Sequence, residues 1–199
     1  MNARSASTRS NLPPSRPHWR DRDDMTLADI EVLVQEGAFT EYDRVELFDG
    51  RLVAMSPKGR RHEIVRGELA YLLTIRSERT DSFVVSEPQL NLTDNWFLNP
   101  DVLVHPKSLK TPDVRGPTTE LVIEIADTSL DFDLRTKAPV YAAHGVREYW
   151  VINAWTLETM VHREPTPAGF GLTVSVQPDT KLAALLLPWL TVQLDQLDI

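Results

Sequence analysis

Leu121-Val122-Ile123-Glu124-Ile125-Ala126 is the stretch on which the fold turns. A nearly continuous apolar run of this length reads as a strand buried on both faces, so a layer of side chains must cover each side of its sheet. Alternation puts Glu124 on one face with Val122 and Ala126, aimed into whatever covers that face. A lone charge there costs several kcal/mol, so Glu124 must meet a cation, a hydrogen-bond donor or a metal.

Working outward, Phe83 to Leu92 and Asp101 to Val104 are β-like runs before it. After it, Leu134 to Ala143 has helical character and ends at Gly145, with Pro139 implying a late start or a bend. Arg147 to Asn153 and Glu158 to Arg163 follow as strands around an Asn-Ala-Trp-Thr turn. Upstream, Leu27, Ile30, Leu33 and Val34 have helical spacing, with Thr26 as cap and Gly37 as stop. Asp49-Gly50 sits between the β-prone runs Val45 to Phe48 and Leu52 to Met55, a hairpin signal. Arg61 to Arg79 carries Ile64, Val65, Leu69, Leu72, Leu73 and Ile75 on one apolar stripe of a long helix. Strands interleaved with helices predict an α/β or α+β domain, a mixed sheet flanked by helices, with an N-terminal helix and β-hairpin.

The chain has 199 residues, a net charge of −8 and no cysteine. That balance argues against coating nucleic acid by bulk positive charge. The lack of cysteine removes thiol chemistry and Cys-ligated metals, and it suits a reducing cytoplasm. The apolar stretch Leu182 to Leu190 is broken by Pro188 and falls short of the about 20 residues a membrane helix needs. Residues 1–24 hold five arginines, three prolines and little to bury, which reads as a disordered basic tail before a single domain over 25–199. Removing the tail's five arginines and three aspartates leaves the body at −10.

Three carboxylates lie in runs too apolar for ordinary surface acids: Glu46, Asp101 and Glu124. Asp101 alone reads as a turn residue after Pro100, and Glu46 reads equally well on the open face of the hairpin. Convergent carboxylates suit Mg²⁺ or Mn²⁺, hard cations that take oxygen ligands. Lys137 could fold back over the strand's carboxylates; taken alone it reads as a surface i,i+4 partner of Asp133. Lys58, Arg60, Arg61, His62 and Arg66 form the densest basic cluster of the body, read first as a solvated helix end and, more weakly, as a nucleic-acid contact. His144 reads as a helix cap, His105 as loop and Trp150 as core, while Trp96 and Trp155 fall in turns where self-association as a homodimer is open.

These motifs occur in a telling order: Val45-Glu46-Leu47-Phe48-Asp49-Gly50, Met55-Ser56-Pro57, Asn99-Pro100-Asp101-Val102, Val122 to Leu130 with Asp133 and Lys137, and Tyr141 to Ile152. Together they resemble the Uma-type restriction endonuclease family of the PD-(D/E)XK nuclease superfamily, from about Met25 to Arg163. The Leu187-Pro188-Trp189-Leu190 segment resembles that family's end. The resemblance implies a metal-dependent endonuclease acting on nucleic acid, most readily DNA. Asp101 and Glu124 would be catalytic acids and metal ligands, the Ile125 carbonyl a further ligand and Glu46 a third acidic one. Ala126 stands where a lysine would complete the motif, and Lys137 is the substitute that the resemblance implies. A catalytically silent nuclease-fold interaction module is the competing reading, and a two-carboxylate sugar hydrolase a third.

Overall fold

The structure is a computed structural model that describes residues 18–39 and 44–199. It is a mixed α and β fold built on two main sheets, with a third made of two short strands, Leu182–Ala183 and Thr191–Val192. The larger has six strands in the order β10-β9-β8-β7-β6-β3. These are β3 (Ser82–Ser86), β6 (Val102–Pro106), β7 (Leu121–Ala126), β8 (Glu148–Asn153), β9 (Thr159–Thr166) and β10 (Gly169–Val176). Only β7 and β8 run parallel, joined through a helical crossover as a parallel pair requires. The smaller sheet has the order β2-β1-β5-β4, from β1 (Val45–Phe48), β2 (Arg51–Ala54), β4 (Leu90–Thr93) and β5 (Trp96–Leu98).

Every residue of β7 is buried, as the apolar run requires. Its two faces enter two cores. Leu121, Ile123 and Ile125 pack with Val65, Leu69 and Leu73 of the long helix α2 (Arg60–Ser77). Val122 and Ala126 pack on the other face with Tyr141 and Tyr149. Leu187, Leu190, Val192 and Leu194 of the C-terminal segment complete the α2-side core. Buried Glu148 ties that segment down, accepting from Arg163 Nη2 at 2.7 Å, Trp150 Nε1 at 2.9 Å and the Leu185 amide at 2.5 Å.

The N-terminal helix α1 (Leu27–Gln35) starts at Thr26 with a capping box to Asp29. The hairpin turn is built as its residues demand: Asp49 and Gly50 take φ of 46° and 79°, the type I′ geometry that matches strand twist. Gly50 also admits a close neighbour, since a Cβ there would stand 2.7 Å from the Asp23 carbonyl. The Met25 amide donates to the Gly50 carbonyl at 2.8 Å.

That contact moves the start of the folded unit. His18–Asp21 is a short 3-10 helix, and Trp19 is buried with Met25, Leu47 and Phe97. Residues 18–24 therefore pack on the domain, because Trp19 supplies the apolar anchor that a basic composition hides. The rest of the expected tail lies outside the described residues.

Other expectations shift. The Phe83–Leu92 run divides into β3 and β4 of different sheets, broken at Glu87, whose φ is +51°. Trp96 lies in strand β5, and His105 is a buried residue of β6 rather than loop. On α2 the buried positions are His62, Val65, Leu69, Ala70, Leu73 and Ser77; Ile64 and Ile75 fall off that line and are exposed. The last helix begins at Leu130 as α3 (Leu130–Phe132), passes through a π-helical turn over Asp133–Lys137 and continues as α4 (Ala138–Ala143). Pro139 has no N–H to return to the carbonyl four residues back, and the Ala138 amide reaches five residues back to Asp133 instead. His144 caps the end, its Nδ1 at 2.8 Å from the Val140 carbonyl, as expected. No helix of the described residues is long and apolar enough to cross a membrane.

Candidate active site

Where the two sheets meet, a cleft of about 320 Å³ is lined by Glu46, Lys58, His62, Asp101, Glu124, Ile125, Asp133 and Lys137 among others. The antiparallel ladder between β6 and β7 ends at the pair Val102–Ile123, and the next residue along each strand is Asp101 and Glu124. Register alone therefore sets the two acids side by side. The Ile125 amide, one residue further, donates to Asp101 Oδ2 at 2.7 Å.

Asp101 is almost wholly enclosed. Its Oδ2 also meets His62 Nε2 at 2.9 Å, and its Oδ1 accepts from Lys58 Nζ. Burial works against the charge of Asp101. The His62 hydrogen bond and the Lys58 ammonium outweigh it and hold the carboxyl well below the usual range.

Lys137 sits at the centre of the second half. Its Nζ donates to Glu124 Oε1 at 2.9 Å and Glu46 Oε1 at 3.0 Å, and lies 3.8 Å from Asp133 Oδ1. Tyr141 donates its hydroxyl to the same Glu124 oxygen at 3.2 Å. The π-helical turn is what brings both Asp133 and Lys137 inward, and both are buried. The i,i+4 pair read as a surface contact is thus internal, and only the geometry of the turn distinguishes the two cases. Glu46 is enclosed rather than on an open hairpin face; the Asn99 amide gives its Oε1 a second contact at 2.9 Å, and its Oε2 is buried without a hydrogen-bond partner.

Three acids thus share one ammonium. Burial raises the Glu124 carboxyl well above its ordinary range, and Lys137 only partly opposes this. Burial likewise carries Asp133 up to about 6 against Lys137 and Ser129. Burial disfavours the Lys137 ammonium, but Glu124, Glu46 and Asp133 overcome this and keep it charged. The site holds a surplus of buried negative charge, which protons or a cation must relieve.

Asp133 offers a direct check. Its carboxyl titrates higher in the fold than in the unfolded chain, so the stability it contributes is full below about pH 4 and is lost as pH rises through about 6. Asp133→Asn removes that loss. Measured by urea unfolding, the variant should gain about 2–3 kcal/mol relative to the parent between pH 4 and pH 8. A difference independent of pH would refute the assignment.

The basic cluster does not form a separate surface. Lys58 and His62 are spent on Asp101, and Arg61 Nε donates to the Ala154 carbonyl at 2.9 Å. Arg60 alone of the four expected contacts stands exposed. The sequence reading took Lys58 and His62 as nucleic-acid contacts rather than as partners of Asp101, and gave Tyr141 and Asp133 no role in the site. The signal for His62 was its helical spacing with Val65 and Leu69, which puts it on the buried face of α2. Gly59, the residue before that helix, leaves room for Asp127, whose Oδ2 would stand 2.2 Å from a Cβ there, while Trp155, itself exposed, donates to Asp127 Oδ1 at 2.7 Å.

Comparison with known proteins bears on this arrangement. A family described as "Uma2: Putative restriction endonuclease" matches residues 30–195. A crystal structure of a "putative nuclease belonging to DUF820" from Anabaena variabilis superposes with a TM-score of 0.69 at 15% identity, covering 86% of this chain and 96% of that one. No curated protein matches the chain.

Proposed function

Because the chain belongs to the Uma2 family of putative restriction endonucleases, we propose that its acidic cleft hydrolyses phosphodiester bonds of DNA with the help of Mg²⁺ or Mn²⁺. The observation that carries this reading is the pairing of Asp101 with Glu124 at the end of one ladder, with a buried ammonium beside them. The donors are all hard oxygens, and the site's surplus negative charge is what a divalent cation relieves. Asp101 and Glu124 would hold the ion, with the Ile125 carbonyl next to them. Glu46, already turned to Lys137 and Asn99, is placed to balance Lys137 first and to ligate second.

No three His, Asp or Glu side chains form a complete cage among the described residues, which is the observation favouring a silent interaction module. It weighs little against the nuclease reading, since Mg²⁺ is usually held by one or two carboxylates, with water and substrate phosphate completing the shell. A bound ion there supplies Lewis acidity to a phosphoryl oxygen and lowers the pKa of a water. The chain's own residues do the rest. Lys137 presents a fixed positive charge in a sheltered site, where it counts for more against a phosphate than in open solvent. His62 and the Ile125 amide fix the orientation of Asp101, and Tyr141 fixes that of Glu124.

The test is incubation of the full chain with supercoiled plasmid and with single-stranded DNA in Mg²⁺, Mn²⁺ or EDTA. Cleavage is expected with either metal and absent in EDTA. Cleavage that survives EDTA overturns the metal assignment, and no cleavage of either DNA returns the silent module.

A further inference from the structure

At the mouth of the same cleft one carboxylate gathers three cations. Glu87 Oε1 accepts from Lys58 Nζ at 2.6 Å and Arg44 Nη2 at 3.1 Å, and its Oε2 lies 3.5 Å from Arg66 Nη1. The three come from three places in the chain: the residue before β1, the segment before α2, and α2 itself. Their convergence is held from below, because the Glu87 amide donates to the Asp101 carbonyl at 3.0 Å. Glu87 itself takes a left-handed φ of +51°, a conformation that a non-glycine residue adopts at some cost. Arg44 and Lys58 also line the cleft.

We propose that Arg44, Lys58 and Arg66 form a seat for a backbone phosphate of the nucleic acid, and that Glu87 is a built-in placeholder that occupies the seat until substrate displaces it. The proposal rests on the nuclease reading of the adjoining cleft and names how that cleft holds its substrate. A carboxylate and a phosphodiester each carry a single negative charge spread over two oxygens, so one can stand in for the other between the same guanidinium and ammonium donors. The Glu87 side chain is about one-third exposed, at 36%, and can leave toward solvent, whereas Asp101 cannot. Lys58 links the two halves, since it also touches Asp101; an ion that engaged Asp101 would leave Lys58 for the phosphate. The acidic body thereby keeps its cations oriented without presenting a positive surface to every polyanion it meets.

The experiment is fluorescence anisotropy of a labelled short DNA duplex titrated with the full chain in EDTA, which reads binding apart from cleavage. Glu87→Gln should bind about fivefold more tightly than the parent, since one exposed ion-pair partner no longer competes, and its log–log salt slope should steepen by about one. Arg44→Ala should bind more weakly, and should abolish the gain when combined with Glu87→Gln. Binding by Glu87→Gln that is equal to or weaker than the parent's overturns the seat, as does a gain that persists without Arg44, or failure of parent and variant alike to bind. Should Glu87→Gln not fold, as read by its thermal melt, Arg44→Ala decides alone, and parent-like binding by it overturns the seat. A chain that shows these responses but cleaves nothing with Mg²⁺ or Mn²⁺ sinks the nuclease reading only. One that cleaves but ignores Glu87 and Arg44 sinks the seat only.

Discussion

Lys137→Met is expected to unfold at markedly lower urea than the parent at about pH 8, by about 3–5 kcal/mol, and to recover much of that loss at about pH 5. Methionine fills a similar volume, so packing is not the cause. The cause is that Glu46 and Glu124 lose the one ammonium that contacts them both, in a place from which water is excluded. The Glu124 carboxyl, which burial already raises, loses the charge that opposed that rise. The sign follows: its contribution is intact at low pH, where it is neutral, and drains away as pH rises through its folded pKa. The same substitution should also end cleavage, since no other ammonium touches Glu124 among the described residues. Arginine is not a substitute, because its planar fork does not fit a pocket built around a point charge. Equal losses of stability at both pH values would show that Lys137 is held by packing alone.

Glu124→Gln should separate chemistry from stability. The amide keeps the shape of the side chain and can still accept from Tyr141 and Lys137, while the charge that burial opposes disappears. Because burial raises the Glu124 carboxyl, the parent forfeits stability as pH climbs, so the advantage of Glu124→Gln in unfolding experiments should grow toward alkaline pH. Cleavage should move the opposite way, falling on the order of a thousandfold, as the loss of one charged contact to the reaction would produce. A variant that is both more stable and inactive can be explained only by a residue kept for chemistry. Full cleavage by Glu124→Gln would remove Glu124 from the site.

What could be read in advance followed from how local the determinants are. The Asp49-Gly50 turn, the capped start of α1 and the doubly buried β7 are each settled by a few adjacent residues, and each stands where the sequence put it. Glu124 could be placed in the site because strand alternation is strict. Asp101 and Glu46 needed the resemblance, since a Pro-Asp pair and a hairpin acid have ordinary explanations. Strand β10 has no counterpart in the sequence reading, which stopped at Arg163, although Phe170, Leu172, Val174 and Val176 alternate with small or polar residues as a strand requires. Pro88 marks the end of the first strand, but nothing in Ser86-Glu87-Pro88 announces that Glu87 is left-handed or which cations it meets; its partners lie dozens of positions away. Trp19 was hidden for a related reason, as one aromatic in a basic stretch becomes an anchor only when a distant hairpin offers it a place.

The contacts that complete the cleft also set a clock on biosynthesis. Glu46 and Lys137 are 91 residues apart, so the chain's own order of synthesis lays down Glu46 and Glu124 first and their shared ammonium last. A nascent chain that has reached Glu124 but not Lys137 carries these two carboxylates without their counterion. The parallel partner of β7 comes later still, at Glu148–Asn153. For a nuclease, this arrangement leaves a chain that ends before Lys137 without a working centre.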